Sequence, residues 1–186
     1  MGGLGGAPEE LGLLMRDLCD KSLSAGVLFW CQRTAIEFLV QSFNVAVREH
    51  FLPDMLALEC AASTPLSLDA PALIAKDEGR GMRLSGVIHS IANAQPDGLS
   101  LIVPIAMQSK TGWAILQSEE DGVHVEPGVL LPHLKDTCPA RVRVEQAFFR
   151  ADEYLGDGTL LHKTDSVRLA LGVLYQSLIA APEMML

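Results

Sequence analysis

Gly81-Met82-Arg83-Leu84-Ser85-Gly86-Val87-Ile88-His89-Ser90-Ile91-Ala92-Asn93 alternates residue classes with a period of two. Leu84, Gly86, Ile88 and Ser90 fall on one side and Arg83, Ser85, Val87, His89 and Ile91 on the other, the spacing of an extended strand whose faces meet different surroundings. The same pattern continues on both sides of it. Residues 72–76, 99–106, 113–117, 123–126 and 142–146 are short apolar runs, separated by Glu-Gly-Arg-Gly, Asp-Gly, Lys-Thr-Gly and Pro-Gly. Turn residues at that frequency predict antiparallel β structure. Pro104 lies inside one of these runs and is expected on an edge or at a bulge, because it has no N–H for a ladder.

Upstream of about residue 58 the period changes to that of helices. Pro8 in a first turn, with Glu9 and Glu10 at the positive end of the dipole, opens a helix whose Leu11, Leu14, Met15 and Leu18 recur at i, i+3, i+4 and i+7. Residues 23–41 are apolar around most of the circumference, which predicts a helix buried between others. A third helix over residues 45–51, capped by Asn44, is expected to end at Leu52-Pro53. A last one spans residues 166–180 and carries Val167, Leu169, Leu171, Val173, Leu174, Leu178 and Ile179. The fold class is therefore α+β: N-terminal helices (1–57), an antiparallel β-barrel-like middle domain (58–156) and a C-terminal helix (157–186).

Composition narrows the functional classes. With 186 residues, 49% of them hydrophobic, the chain is able to bury a sizeable core. The formal charge of −9, without any Lys/Arg cluster, lacks the footprint of a phosphate-backbone binder, so no nucleic acid partner is expected. Cys19, Cys31, Cys60 and Cys138 show neither a Cys-x-x-Cys spacing nor a neighbouring His at ligand intervals; reduced thiols are expected, with no metal site and no disulfide framework. No run reaches roughly 18 uninterrupted apolar residues, so no membrane span is expected and the location is read as cytoplasmic. Gly2-Gly3-Leu4-Gly5-Gly6 has no strand before it and fails as a dinucleotide fingerprint.

Three segments then stand in a telling order. Ala62-Ser63-Thr64-Pro65 precedes the Leu84-x-Gly86-x-Ile88-x-Ser90-Ile91-Ala92-Asn93 strand, and Val144-Glu145-Gln146-Ala147-Phe148-Phe149 leads into Leu155-Gly156 before the last helix. With the glycine-rich start and the helices, this resembles the acyl-CoA dehydrogenase family. Its pattern is helices, Ala-Thr-Glu-Pro, Leu-x-Gly-x-Lys-x-Trp-Ile-Thr-Asn and a Phe-x-x-Val-x-Val-Pro-x-x-x-x-Leu-Gly segment. The resemblance covers nearly the whole chain, but the chain covers only about half of a family member. It implies a partial acyl-CoA dehydrogenase fold: the end of the N-terminal helical domain, the middle β-domain and the first helix of the C-terminal domain. It further implies a complete form that oxidises an acyl-CoA to its enoyl-CoA with FAD, passes electrons to an electron-transfer flavoprotein and assembles as a homo- or hetero-oligomer.

By the same resemblance Ala62, Ser63 and Thr64 take the place of the turn that contacts the flavin pyrimidine ring. Leu66 and Ser67 continue it along the substrate side, and Ser90, Ile91 and Ala92 take the place of Trp-Ile-Thr at the flavin edge. Ser63 keeps the hydroxyl, whereas Thr64 replaces the acid, Ser90 the stacking indole and Ala92 the hydrogen-bonding threonine. Those losses remove around 1 to 3 kcal/mol of flavin affinity. A dehydrogenation α to a thioester also needs a carboxylate base. In most of the family the base lies beyond the position of Leu186; in a minority it immediately precedes an Arg, where this chain has Val167 before Arg168. No catalytic residue is assigned. Two other readings stay open: a catalytically degenerate partner subunit of an acyl-CoA dehydrogenase complex, and an acyl-thioester-binding module without redox activity.

Overall fold

The computed structural model describes residues 7–95, 97–108, 110–129, 132–163 and 165–180. Three helices come first: α1 (Pro8–Lys21), α2 (Leu23–Gln41) and α3 (Val45–Leu56). The Glu10 carboxylate accepts from the Ala7 N–H at 2.9 Å at the start of α1. The Ser22 hydroxyl caps α2 by accepting from Ala25 N, and the Asn44 side chain caps α3 by accepting from Val47 N. The buried stripe of α1 runs through Gly12, Met15 and Cys19 with Leu11 and Leu18 half-buried, so Leu14, expected inward, is exposed. The stripe is rotated because α1 packs on two neighbours, α2 and α4, and not on one. Helix α3 continues through Pro53 where a stop was expected. The proline falls in the last turn, so the helix forgoes one ladder bond and still closes through Ala57 N to Pro53 O.

Eight strands follow among the described residues: β1 (Ala61–Ser63), β2 (Leu73–Asp77), β3 (Met82–Ile91), β4 (Leu99–Met107), β5 (Lys110–Gln117), β6 (Val123–Pro127), β7 (Ala140–Phe149) and β8 (Tyr154–Asp157). They form one sheet in the order β6-β7-β3-β2-β4-β5-β8, with β1 added on β4. The expected antiparallel pattern is broken twice, since β1 and β2 both run parallel to β4. They share one edge of β4, β1 opposite Leu99–Leu101 and β2 opposite Ile105–Met107. Pro104 sits in the interval between them, in a central strand and not on the sheet edge or at the bulge expected for it. That interval lacks a ladder partner on this side, which is how the interior of a sheet accepts a residue without an N–H. The β4 and β5 strands separate two cores. Ile102, Trp113 and Ile115 face the helices, while Leu101, Val103, Ala114 and Leu116 face a second cluster enclosed by β2, β3, β6 and β7.

Helix α4 (Asp165–Ala180) returns to pack on α1 and α2. Its Leu174 is buried and Val173 half-buried, whereas Leu169 and Ile179 are exposed. The side chains of Val167, Leu171 and Leu178 and the glycine-rich start lie outside the described residues. Helix α2 is long and apolar enough to cross a membrane by length and composition, with mean hydropathy 1.2. It is also the central core helix, burying Trp30, Cys31, Ala35, Phe38 and Leu39, and its Phe38 ring meets Trp113 of β5 at 4.4 Å.

Candidate functional site

The even alternation of β3 does not survive to its end. Ile88 pairs with Val142 but Ile91 pairs with Ala140, so β3 carries one extra residue between them. Ser90 absorbs it with φ of 57° and is exposed, off the Leu84 and Ile88 face where the period of two put it. Beyond this bulge Ile91 and Ala92 both turn into the protein, each with no exposed surface.

The bulge brings the end of β3 against the end of β1. Pro65 bridges Ile91, and Leu66 N donates to Ser90 O at 3.0 Å. The Ser63 hydroxyl donates to the Ala92 carbonyl at 2.7 Å, and Thr64 Oγ1 lies 3.3 Å from the Pro65 carbonyl. Ala62, Ser63, Thr64 and Ala92 have no exposed surface, Leu66 is half-buried and Ser67 is exposed. Tyr175 of α4 donates through its hydroxyl to the Leu66 carbonyl at 3.0 Å, tying the last helix to this turn. The eight candidate positions thus form one neighbourhood, with six side chains at least partly inside the protein and Ser67 and Ser90 outside.

Helix α2 covers the buried side of this crossing. Burial pushes the Cys31 thiol up to about 12, although hydrogen bonding to Ser63 and the Ala92 backbone opposes the shift. One turn position on, Gln32 is the residue that sequence reasoning passed over. Its Nε2 donates to the carbonyls of Met55 and Cys60, both at 3.0 Å, and its Oε1 accepts from Ala62 N at 2.8 Å and Asn93 Nδ2 at 3.3 Å. Asn93 Nδ2 also reaches the Ala62 carbonyl at 3.1 Å, while Asn93 N donates to Thr137 O. The one available signal was a glutamine in a largely apolar helix, which has to find partners once buried. Beside this knot lies a cleft of about 480 Å³ with apolar walls from Leu28, Phe29, Ile36, Met55, Leu56 and Leu58.

These residues do not fit a flavin ring through their side chains. The hydroxyls of Ser63 and Thr64 point to backbone carbonyls, Ala92 has no donor, and Ala62 and Ala92 belong to the same packed core as Trp30, Cys31 and Leu134. Among the described residues no group of three or more His, Cys, Asp or Glu is arranged to hold a metal ion. Arg168 is exposed on α4.

No family model and no curated protein matches the chain. Solved structures do. Glutaryl-CoA dehydrogenase from Mycobacterium smegmatis superposes with a TM-score of 0.79 at 14% identity, over 93% of this chain and 48% of that one. A glutaryl-CoA dehydrogenase from the same organism in complex with FADH2 gives 0.74 at 12% identity, over 93% and 46%. Methanesulfinate monooxygenase from Pseudomonas fluorescens gives 0.76 at 16%, over 95% and 48%. The chain has the acyl-CoA dehydrogenase fold, a mixed helix and open-sheet architecture. It spans about half the length of these structures.

Proposed function

We propose that this chain is one half of an acyl-CoA dehydrogenase-type assembly that handles acyl-CoA thioesters, in the role of a non-catalytic partner. In the whole assembly FAD-dependent α,β-dehydrogenation, with electrons leaving to an electron-transfer flavoprotein, belongs to parts outside this chain. The observation that carries this reading is the filled crossing of β1 and β3: the hydroxyls of Ser63 and Thr64 are turned to backbone carbonyls, Ala92 brings no hydrogen bond, and Cys31 closes the buried side. The carboxylate-base position that the resemblance places immediately before an Arg is Val167 here, ahead of Arg168. The exposed apolar residues Leu169 and Ile179 of α4 and Leu56 and Leu58 beside the cleft favour association with a further helical half.

A second reading is favoured by a specific observation, the meeting of the two family motifs through Ser63 and Ala92. In it the chain lines the flavin and thioester of an active dehydrogenase, with Ala62, Ser63, Thr64, Ser90, Ile91 and Ala92 along the flavin and Leu66 and Ser67 along the substrate. One experiment separates the two. The purified chain is incubated with excess FAD, desalted and examined by visible absorption, alone and after mixing with a flavin-bearing acyl-CoA dehydrogenase. The proposal expects no flavin band from the chain alone and a stable mixed complex by light scattering. A stoichiometric flavin band from the chain alone refutes it in favour of the second reading.

A further inference from the structure

Away from that crossing, α3, the end of β5 and the short turn Ala151–Glu153 enclose a cleft of about 310 Å³. Its apolar floor is Val47, Phe51 and Ile115. Two polar groups line it and are fixed from behind. Glu120 Oε1 accepts from Gln117 N at 2.7 Å, and Gln117 Oε1 accepts from the Ser100 hydroxyl at 3.1 Å. Each side chain therefore has its other end left over: Glu120 Oε2 and Gln117 Nε2 are both buried and both without a hydrogen-bond partner. A buried acceptor or donor left unpaired has lost its water and gained no partner, which is unfavourable, so two of them on one cleft call for a ligand that satisfies both.

The surrounding charge selects the ligand's sign. His50 faces the cleft from α3, and Arg150, Asp152 and Glu153 face it from the far side. Arg150 Nε is held by Asp152 at 3.1 Å and Glu153 at 3.3 Å; its charge also reaches Glu120, but Glu153 and Glu119 beside the same carboxyl oppose it, so the surroundings of Glu120 favour a further cation. We propose that this cleft binds a small primary amine carrying a neighbouring oxygen, such as an amino alcohol, with the ammonium on Glu120 Oε2 and the oxygen accepting from Gln117 Nε2. The short carbon chain lies on Val47, Phe51 and Ile115. Burial pushes the Glu120 carboxyl up to about 7, so the ligand displaces a proton and binds more tightly as pH rises through neutrality.

The test is a titration of the chain with ethanolamine, followed by the amide and side-chain NH₂ resonances of Gln117. Saturable shifts are expected around pH 8, about tenfold weaker around pH 5.5 and about tenfold weaker in Glu120→Gln, the size of one charge-assisted hydrogen bond. Propylamine, which lacks the oxygen, is expected to bind more weakly than ethanolamine, and Asp121→Asn, an exposed neighbour, to behave as the wild type. Absence of saturable shifts, equal affinity in Glu120→Gln, or affinity that does not rise with pH overturns the proposal. Stronger binding of a lysine-containing peptide than of ethanolamine overturns it too, in favour of a protein partner. The pH comparison uses the unaltered chain and stands even if the variant does not fold.

Discussion

Replacing Gln32 by leucine tests whether the crossing of α2, α3, β1 and β3 is a structural joint. The side chain is 9% exposed and makes four hydrogen bonds, two donated by Nε2 to Met55 O and Cys60 O and two accepted by Oε1 from Ala62 N and Asn93 Nδ2. Leucine keeps the approximate volume and removes all four. At a net value of about 1 kcal/mol for each bond the loss is about 4 kcal/mol. The Cys60 carbonyl is only partly buried and recovers water, which brings the expected figure to about 3 kcal/mol. For a chain of this size that corresponds to a fall in Tm of about 6–12 °C. Urea denaturation followed by circular dichroism and by Trp30 and Trp113 fluorescence reads the change. Gln32→Glu, which keeps the acceptor but loses both donated bonds, is expected to lose at least as much. A loss below about 1 kcal/mol for Gln32→Leu refutes the idea that this glutamine holds the four elements together.

Two further outcomes follow from titratable groups. The Glu120 carboxyl is raised to about 7 when folded, so the folded state holds its proton more tightly than the unfolded chain; the stability gained this way is complete below about pH 4.3 and lost as pH rises through about 7. Glu120→Gln is therefore expected to match the wild type around pH 4.5 and to exceed it around pH 8 by about 2 kcal/mol, after discounting for solvent at this partly open site; parallel urea midpoints across that range contradict the assignment. Cys31, pushed up to about 12, and Cys19, raised by burial, stay protonated and covered. A thiol reagent on the native chain is expected to label Cys60 and Cys138 quickly and the other two only on unfolding, and rapid native labelling of Cys31 contradicts its place under the crossing.

The sequence by itself determined the local elements. The i, i+3, i+4 spacing of α1, the apolar circumference of α2 and the cap at Asn44 placed the helices, and the alternation within Gly81 to Asn93 placed β3. It also carried the resemblance that the solved structures bear out at the level of fold. These are properties of short stretches, where propensity and period act without reference to distant residues. What the tertiary structure decided is non-local. Nothing in β4 alone says that β1 and β2 share its edge and leave an interval for Pro104, because that depends on where two other segments end. The bulge at Ser90 depends on the register of β7, and it moved Ser90 outward and Ile91 inward by a single residue. The partners of Gln32 come from α3, β1 and the end of β3. A strand's period is written in its own residues, but the identity of what packs on each face is set only when the chain closes on itself, and at the crossing of β1 and β3 that closure placed Cys31 and Gln32 against the two motifs.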